Sequence, residues 1–192
     1  MRPRKSAIVI AAVMIAACGR EPVSTRENLK NVEGASAKEG TATVSQGDVA
    51  RDLATLRRAT APYQQFDRGS ASGRWSTKIT DCMSDPKLGG MGFHYGNAGW
   101  IDGKVQVDEP ELLLYEPEPN GRMRLVAVEY IMPLQLSATP PRLFGRDFSV
   151  NAAFGIWALH AWVWKDNPSG MFADWNPRVT CPVGTTMSHM SH

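Results

Sequence analysis

Two histidines and two glutamates are the side chains of this sequence best suited to chemistry: His94, His160, Glu116 and Glu129. Their sequence neighbours are largely apolar, so a strand would place each of them among apolar side chains. An ionisable group in such surroundings needs a partner, because burying an unpaired charge is costly. Imidazole nitrogens and carboxylate oxygens from separate strands can together bind zinc, iron or manganese. These four residues are therefore candidate ligands of a divalent transition metal.

A buried His–Glu hydrogen-bond pair is the alternative explanation of the same residues. The metal interpretation has no diagnostic spacing, because the sequence contains neither H-E-x-x-H nor H-x-H. Nucleophilic catalysis lacks its G-x-S-x-G motif. The run Gly89-Gly90-Met91-Gly92 does not have the spacing of a phosphate-binding loop, and it predicts a tight turn or a close backbone contact. No other cofactor is predicted.

Tryptophans offer a second kind of candidate site, because large aromatic rings bind small ligands and cations. Trp162, Trp164 and Trp175 are the candidate ligand-binding rings, and core packing is the alternative. Strand alternation predicts that His160 shares a face with Trp162 and Trp164. Trp175 lies between two polar residues, which predicts an exposed ring.

A helix and three strands are predicted to position these residues. Asp48 is the expected N-cap of an amphipathic helix that stops or bends before Pro62 and restarts weakly toward Phe66. Asn120-Gly121 is the expected hairpin turn between the first two strands. The strand patterns cover Leu112–Glu116, Leu125–Met132 and Ile156–Trp164.

The predicted fold class is α+β, with the N-terminal amphipathic helix packed on a predominantly antiparallel sheet. Long ordered loops are expected around Gly89–Gly103 and Asn167–Pro182. Strand alternation predicts that Glu129 lies on one face with Leu125, Ala127 and Ile131.

The N-terminus has the pattern of an exported protein. Basic residues at positions 2, 4 and 5 precede an apolar run of about a dozen residues, shorter than the roughly 20 that a membrane-spanning helix needs. The run ends in Ile15-Ala16-Ala17-Cys18-Gly19, which resembles a bacterial lipobox. We expect lipidation of Cys18 to anchor the protein in the bacterial cell envelope. Ordinary signal-peptide cleavage, with Cys18 nearby by chance, is the alternative.

Four segments follow from these patterns. Residues 1–17 are predicted to be the signal peptide, 18–47 the lipidated cysteine and a flexible tether, 48–182 a single folded domain and 183–192 a flexible tail. The tail contains Met187-Ser188-His189-Met190-Ser191-His192, whose thioethers and imidazoles could bind copper. A disordered end without a metal is the alternative.

The two remaining cysteines, Cys82 and Cys181, are expected to form a disulfide, as an even pair does in an exported protein. A two-thiolate metal site would need further soft ligands at short spacing, such as C-x-x-C, which the sequence lacks. The predicted bridge joins the early part of the folded domain to its end.

Composition and charge exclude some partners. The 192 residues are 43% hydrophobic and 21% charged, which is typical of a globular domain. The formal net charge of +2 is too balanced to predict a nucleic-acid surface. Removing residues 1–17 takes away three basic residues and no acidic one, leaving 18 basic against 19 acidic residues, or −1. The expected contact with the membrane is therefore the lipid.

Several longer patterns resemble an uncharacterised family of exported bacterial proteins. The resemblance runs from about Leu53 to Cys181 and implies no activity, catalytic residue or cofactor. Its motifs are G-M-G-F-H-Y at 90–95, L-L-Y-E-P at 113–117, L-V-A-V-E-Y at 125–130 and L-H-A-W-V-W at 159–164, followed by N-P-S-G-M-F-A-D-W-N-P at 167–177.

Two function classes follow from the sequence. The first is a non-enzymatic, lipid-anchored envelope module that binds a small molecule or an envelope protein through its tryptophan-rich loops. The second is a metal-dependent enzyme built on His94, His160 and either Glu116 or Glu129.

Overall fold

The computed structural model describes residues 44–183. The predicted signal peptide, the lipidated Cys18, most of the predicted tether and the Met/His tail lie outside these residues. The described residues form an α+β fold, in which one main helix precedes a six-stranded antiparallel sheet. None of the helices between residues 44 and 183 combines the length and the apolar character needed to cross a membrane.

The main helix, α1, covers Gln46–Thr60. It begins earlier than predicted, because Ser45 rather than Asp48 is the N-cap. The Ser45 hydroxyl accepts a hydrogen bond from the Asp48 backbone N–H, while the Asp48 carboxylate accepts one from the Ser45 N–H. This capping box makes Asp48 the third helical residue. The predicted bend is confirmed as a 3₁₀ turn, Ala61–Gln64, and the weak restart as the short helix α2, Phe66–Ser70.

Residues 44–183 contain eight strands: β1 Thr77–Asp85, β2 Gly89–Gly96, β3 Leu112–Pro117, β4 Met123–Pro133, β5 Arg142–Leu143, β6 Arg146–Asp147, β7 Ser149–Asn151 and β8 Ile156–Ala161. Six of these strands form one sheet, in the order β1-β2-β3-β4-β8-β7, while β5 and β6 form a separate pair. The three predicted strands correspond to β3, β4 and β8, except that β8 ends at Ala161 and does not continue to Trp164.

Strand β2 occupies the first part of the predicted loop Gly89–Gly103, so that prediction was wrong for residues 89–96. Its glycines do not favour a strand by propensity, but they leave room for another segment to cross it. A Cβ atom on Gly90 would lie 2.8 Å from the carbonyl oxygen of Val179. We call residues 166–181 the crossing segment, and Asn176 of this segment forms an isolated antiparallel bridge with Gly90.

Apolar side chains form two clusters, one on each face of the sheet. The helix contributes Leu53 and Leu56 to the first cluster, which confirms that α1 and the sheet share a core. The crossing segment contributes Val179 to the second cluster. Sheet residues of the first cluster include Leu113, Tyr115, Val128, Tyr130 and Leu159. Those of the second include Met91, Leu112, Leu114, Ala127 and Ile131.

A register shift in β4 changes which residues share the face of Glu129. Leu114 pairs with Ala127, whereas the next residue of β3 pairs with Leu125, so Val126 is one extra residue in β4. Ala127 and Ile131 lie in the second cluster, as predicted. Leu125 belongs to the first cluster instead, because the extra residue reverses the alternation.

The predicted disulfide between Cys82 and Cys181 is present, with the two Cα atoms 5.6 Å apart across a separation of 99 residues. It joins β1 to the end of the crossing segment. The segment is therefore attached covalently at one end and by the Asn176–Gly90 bridge near its middle.

Candidate metal centre

Three strands bring His94, Glu129 and His160 together on the face that carries the second cluster. Glu129 of β4 and His160 of β8 are direct cross-strand partners. His94 lies on β2, which is separated from β4 by β3. On β3, Leu114 pairs with His94, and Leu112 pairs with Glu129. One potential ligand atom from each of the three residues lies within 4.8 Å of the other two.

The carboxylate of Glu129 lies between the two imidazoles. His94 Nε2 is 3.5 Å from Glu129 Oε2, and His160 Nε2 is 3.8 Å from Glu129 Oε1. The ring centroids of the two histidines are 6.2 Å apart, with their planes at 80°. The exposed fractions of the three side chains are only 3%, 7% and 4% for His94, Glu129 and His160. The group is thus removed from solvent.

These distances are longer than hydrogen bonds and close to the spacing of metal ligands. A nitrogen–oxygen hydrogen bond measures about 2.7–3.2 Å. Two ligand atoms bonded at about 2.1 Å to one tetrahedral ion lie about 3.4 Å apart. Within residues 44–183, neither ring nitrogen of His160 has a hydrogen-bond partner, although both are buried. The arrangement of His94, Glu129 and His160 could therefore hold a metal ion.

The outer nitrogen of each imidazole faces a polar side chain. His94 Nδ1 is hydrogen-bonded to the hydroxyl of Thr80 on β1, at 2.8 Å. His160 Nδ1 lies 3.4 Å from Asp174 Oδ1 on the crossing segment. Polar groups at these positions are typical of metal sites, where they fix the ring and leave its second nitrogen for the ion.

Burial dominates the electrostatics of the group. Burial, with a smaller contribution from the neighbouring His160, lowers the pKa of His94 to about 3. It also raises the pKa of Glu129, against the opposing effect of His160. Burial alone would lower the pKa of His160, but the carboxylates of Glu129 and Asp174 outweigh it and raise that pKa. His94 is therefore neutral at physiological pH, as a metal-binding imidazole must be.

Glu116, the alternative carboxylate ligand, is not part of this group. It lies four residues beyond Leu112, the cross-strand partner of Glu129, which amounts to about 13 Å along β3. Both of its carboxylate oxygens accept hydrogen bonds of 2.6 Å from Lys165 Nζ. The structure therefore assigns Glu116 to a partly buried ion pair.

The candidate tryptophans do not form one aromatic surface. Trp162 is buried in the second cluster, where its ring is parallel to that of His160, with the ring centroids 6.4 Å apart. Trp164 packs against the first cluster, so the prediction that both tryptophans share the face of His160 was wrong for Trp164. The physical reason is that β8 ends at Ala161 and its alternation stops there. Trp175, predicted to be exposed, is half-buried against the second cluster.

Comparison of the chain with protein-family models, curated proteins and solved structures gave no match. The resemblance to a family of exported bacterial proteins stays a prediction.

Thr80 and Asp174 are the neighbours of the site that the sequence did not indicate as site residues. Thr80 is an ordinary polar residue of an edge strand, and the strand pattern gives no sign that it faces His94. Asp174 lies in a segment without regular secondary structure, where no periodicity predicts the direction of a side chain. Its position next to Trp175, in the pattern 167–177, was the only indication.

Proposed function

We propose that the folded domain is a non-enzymatic module that binds one divalent transition-metal ion through His94, Glu129 and His160. The observation that carries this proposal is the buried imidazole of His160, which has no hydrogen-bond partner at either nitrogen among the described residues. Leaving a buried polar group unpaired costs about 1–3 kcal/mol. An ion coordinated by Nε2 would supply the missing partner.

The buried carboxylate of Glu129 supports the same conclusion. Within residues 44–183, no lysine or arginine forms an ion pair with it; its ion-pair contacts are with the two imidazoles, and the nearby Asp174 carboxylate adds negative charge. Buried charges in proteins are normally paired or coordinate metals. A cation between Glu129 and the two Nε2 atoms would balance the carboxylate without requiring either histidine to be protonated.

The donor set indicates which ions fit. Two imidazoles and one carboxylate suit Zn²⁺, Fe²⁺ and Mn²⁺, whereas Ca²⁺ and Mg²⁺ prefer sites built from oxygen ligands. The choice among the transition metals follows the supply of ions in the compartment as much as the intrinsic affinity of the ligands. We use Co²⁺ and Zn²⁺ as probes, because the ligand set accepts both.

A metal-dependent enzyme is the second candidate function, since three protein ligands leave a fourth coordination position as in catalytic zinc sites. Catalysis also needs a path for the substrate to that position. The three ligands are almost completely covered, and Trp162 lies parallel to the His160 ring. We therefore favour retention of the ion over turnover of a substrate at it.

We further propose that this module is attached to the bacterial cell envelope through lipid on Cys18. The support is the basic start, the short apolar run and the lipobox-like end of that run at residues 15–19. The disulfide between Cys82 and Cys181 fits an oxidising compartment outside the cytoplasm.

The metal proposal is tested with the full chain, purified in detergent without an affinity tag and carrying His189→Ala and His192→Ala. The sequence has four histidines, so this background keeps only His94 and His160. We expect one Zn²⁺ or Co²⁺ per chain, measured by elemental analysis after exchange into metal-free buffer. Glu129→Gln and His160→Gln should each weaken binding at least tenfold in a chelator competition.

Glu111→Gln is the matched control, because Glu111 is also buried but its carboxylate accepts a hydrogen bond from the Ile131 backbone N–H and faces no imidazole in the described structure. It should bind the ion as the parent does. The proposal would be contradicted if the folded parent bound less than one ion per chain. It would also be contradicted if Glu129→Gln and His160→Gln bound the ion as tightly as Glu111→Gln. Circular dichroism establishes that each variant is folded.

A further inference from the structure

Asp174 lies next to the candidate metal ligand His160 and is also exposed to solvent. Its Oδ1 atom is 3.4 Å from His160 Nδ1, and 54% of its side chain is exposed. The two atoms lie just beyond hydrogen-bond distance, and a shift of about 0.2 Å would bring them within it. Asp174 is the partner that the unpaired Nδ1 of His160 can reach.

The backbone on both sides of Asp174 is hydrogen-bonded, on one side to Trp162, which follows β8, and on the other to β2. Before it, the carbonyl of Ala173 accepts a hydrogen bond of 2.6 Å from the Trp162 indole N–H. After it, the N–H and carbonyl of Asn176 form a pair of 3.0 Å hydrogen bonds with Gly90. The crossing segment thus presents the Asp174 carboxylate to His160 by local contacts and not by chance exposure.

The outer nitrogen of each histidine faces one polar side chain, at hydrogen-bond distance for His94 and slightly beyond it for His160. The Nδ1 atom of His94 is held by the Thr80 hydroxyl, and that of His160 faces the Asp174 carboxylate. In both rings, Nε2 is directed at Glu129. In metal sites, a group that accepts the outer N–H fixes the tautomer and makes the ligating nitrogen a stronger donor.

We propose that Asp174 is a positioning residue of the metal centre, which accepts the Nδ1–H of His160 and thereby directs the Nε2 lone pair toward the ion. This inference rests on the proposed function, since it assigns a role within that same site. Asp174 does not itself contact the ion. A carboxylate that accepts the outer N–H makes the ligating Nε2 a stronger donor than a hydroxyl does. Metal binding by His160 therefore depends more on Asp174 than metal binding by His94 depends on Thr80.

The experiment compares Asp174→Asn with the parent chain that carries His189→Ala and His192→Ala, using Co²⁺ as the probe. Removal of an outer partner typically lowers metal affinity 10–100-fold, and we expect a loss in this range by chelator competition. In proton NMR, the Co²⁺ form should give two hyperfine-shifted, exchangeable imidazole N–H signals. Asp174→Asn should broaden the signal of His160 through faster exchange and leave that of His94 in place.

Asp166→Asn is the matched control, because Asp166 is an exposed carboxylate of the same crossing segment, paired with Arg178. It should change neither the affinity nor the two signals. Asp174→Glu should recover part of the affinity, which a role limited to folding would not predict. An unchanged affinity in Asp174→Asn, with binding lost in His160→Gln, would overturn the role of Asp174 and leave the metal proposal standing. Unchanged binding in His160→Gln as well would overturn both.

Discussion

Three glutamates are buried in the described part of the chain, and each carboxylate is balanced in a different way. Glu116 forms an ion pair with Lys165, and both of its oxygens are hydrogen-bonded. Glu111 accepts a hydrogen bond of 3.0 Å from the Ile131 backbone N–H. Among the described residues, Glu129 forms its ion-pair contacts with two imidazoles, at distances that exceed those of hydrogen bonds, and the Asp174 carboxylate further raises its pKa. Glu129 is therefore the carboxylate that most needs a bound cation.

Glu111 predicts a pH dependence of stability that has nothing to do with metal. Burial raises the pKa of Glu111 from 4.5 to about 7. Between these values the folded state holds a proton that the unfolded chain has released, so stability is lost as the pH rises through this window. The loss amounts to about 3 kcal/mol by the linkage relation. Glu111→Gln lacks this contribution, so its free energy of unfolding should not fall in this way. The difference, variant minus parent, should therefore rise by about 3 kcal/mol from pH 4 to pH 8.

Urea unfolding of both proteins at several pH values, without added metal, measures this difference. Contributions from the histidines are common to both proteins and cancel in the comparison. Asp166→Asn removes an exposed carboxylate and controls for the change in net charge. A difference between Glu111→Gln and the parent that stays constant from pH 4 to pH 8 would show that the raised pKa is wrong.

At the residue scale, the sequence predicted three of the residues that converge on the candidate site better than it predicted their surroundings. His94, Glu129 and His160 were recognisable because each is an ionisable residue among apolar neighbours. The same criterion selected Glu116. Glu116 differs from Glu129 because it forms an ion pair with Lys165, which lies 49 positions from Glu116 in the sequence. Contacts of this range depend on how strands pair, and a single sequence does not contain that information.

At the element scale, periodicity predicted the regular parts and failed at the irregular ones. The helix, β3 and β4 have the spacing of their secondary structure, and the structure confirms them. The glycine-rich β2 has no strand pattern of its own, because its place in the sheet depends on space for the crossing segment. The extra residue in β4 likewise interrupts the alternation of side chains along the strand, so a strand pattern with a period of two does not predict it.

The disulfide is the covalent connection between an edge strand and the crossing segment. Closing a loop of about 100 residues stabilises a fold by about 4–5 kcal/mol in the chain-entropy model, and removal of native disulfides typically costs 2–5 kcal/mol. We expect the double variant Cys82→Ser, Cys181→Ser to unfold in urea with a free energy lower by about 2–5 kcal/mol. The variant retains the hydrogen bonds between Asn176 and Gly90, so part of the segment stays in place.

The reduced parent chain is the control for this comparison, because it lacks the same bond without any substitution. It should match the double variant within experimental error. Mass spectrometry of the oxidised, folded protein should find neither Cys82 nor Cys181 open to alkylation. Two alkylated thiols, or equal stability of parent and double variant, would contradict a stabilising bridge.

At the scale of the folded domain, the two faces of the sheet differ in what they carry. One face packs against α1 and forms a continuous apolar core with it. The other face carries His94, Glu129 and His160, and the crossing segment packs on it and brings Asp174 next to His160. The proposed metal centre on this face would be held by three strands of the sheet and by a segment that a disulfide attaches, an arrangement suited to retaining an ion.

The attachment of the protein to a membrane is predicted to depend on one residue, Cys18. Without residues 1–17 the formal net charge is −1, so electrostatic attraction to anionic lipid contributes little. A thioether-linked diacylglycerol and an N-linked acyl chain would together give stable anchoring, since each buried methylene contributes about 0.8 kcal/mol. Cys18→Ala should therefore move the protein from the membrane fraction to the soluble fraction, or leave it unprocessed, and mass spectrometry should show the lipid on the parent alone. Ser24→Ala is the control, an exchange of similar size nearby, and this variant should carry the lipid and stay in the membrane fraction. Processed Cys18→Ala protein in the membrane fraction would refute lipid anchoring at this residue.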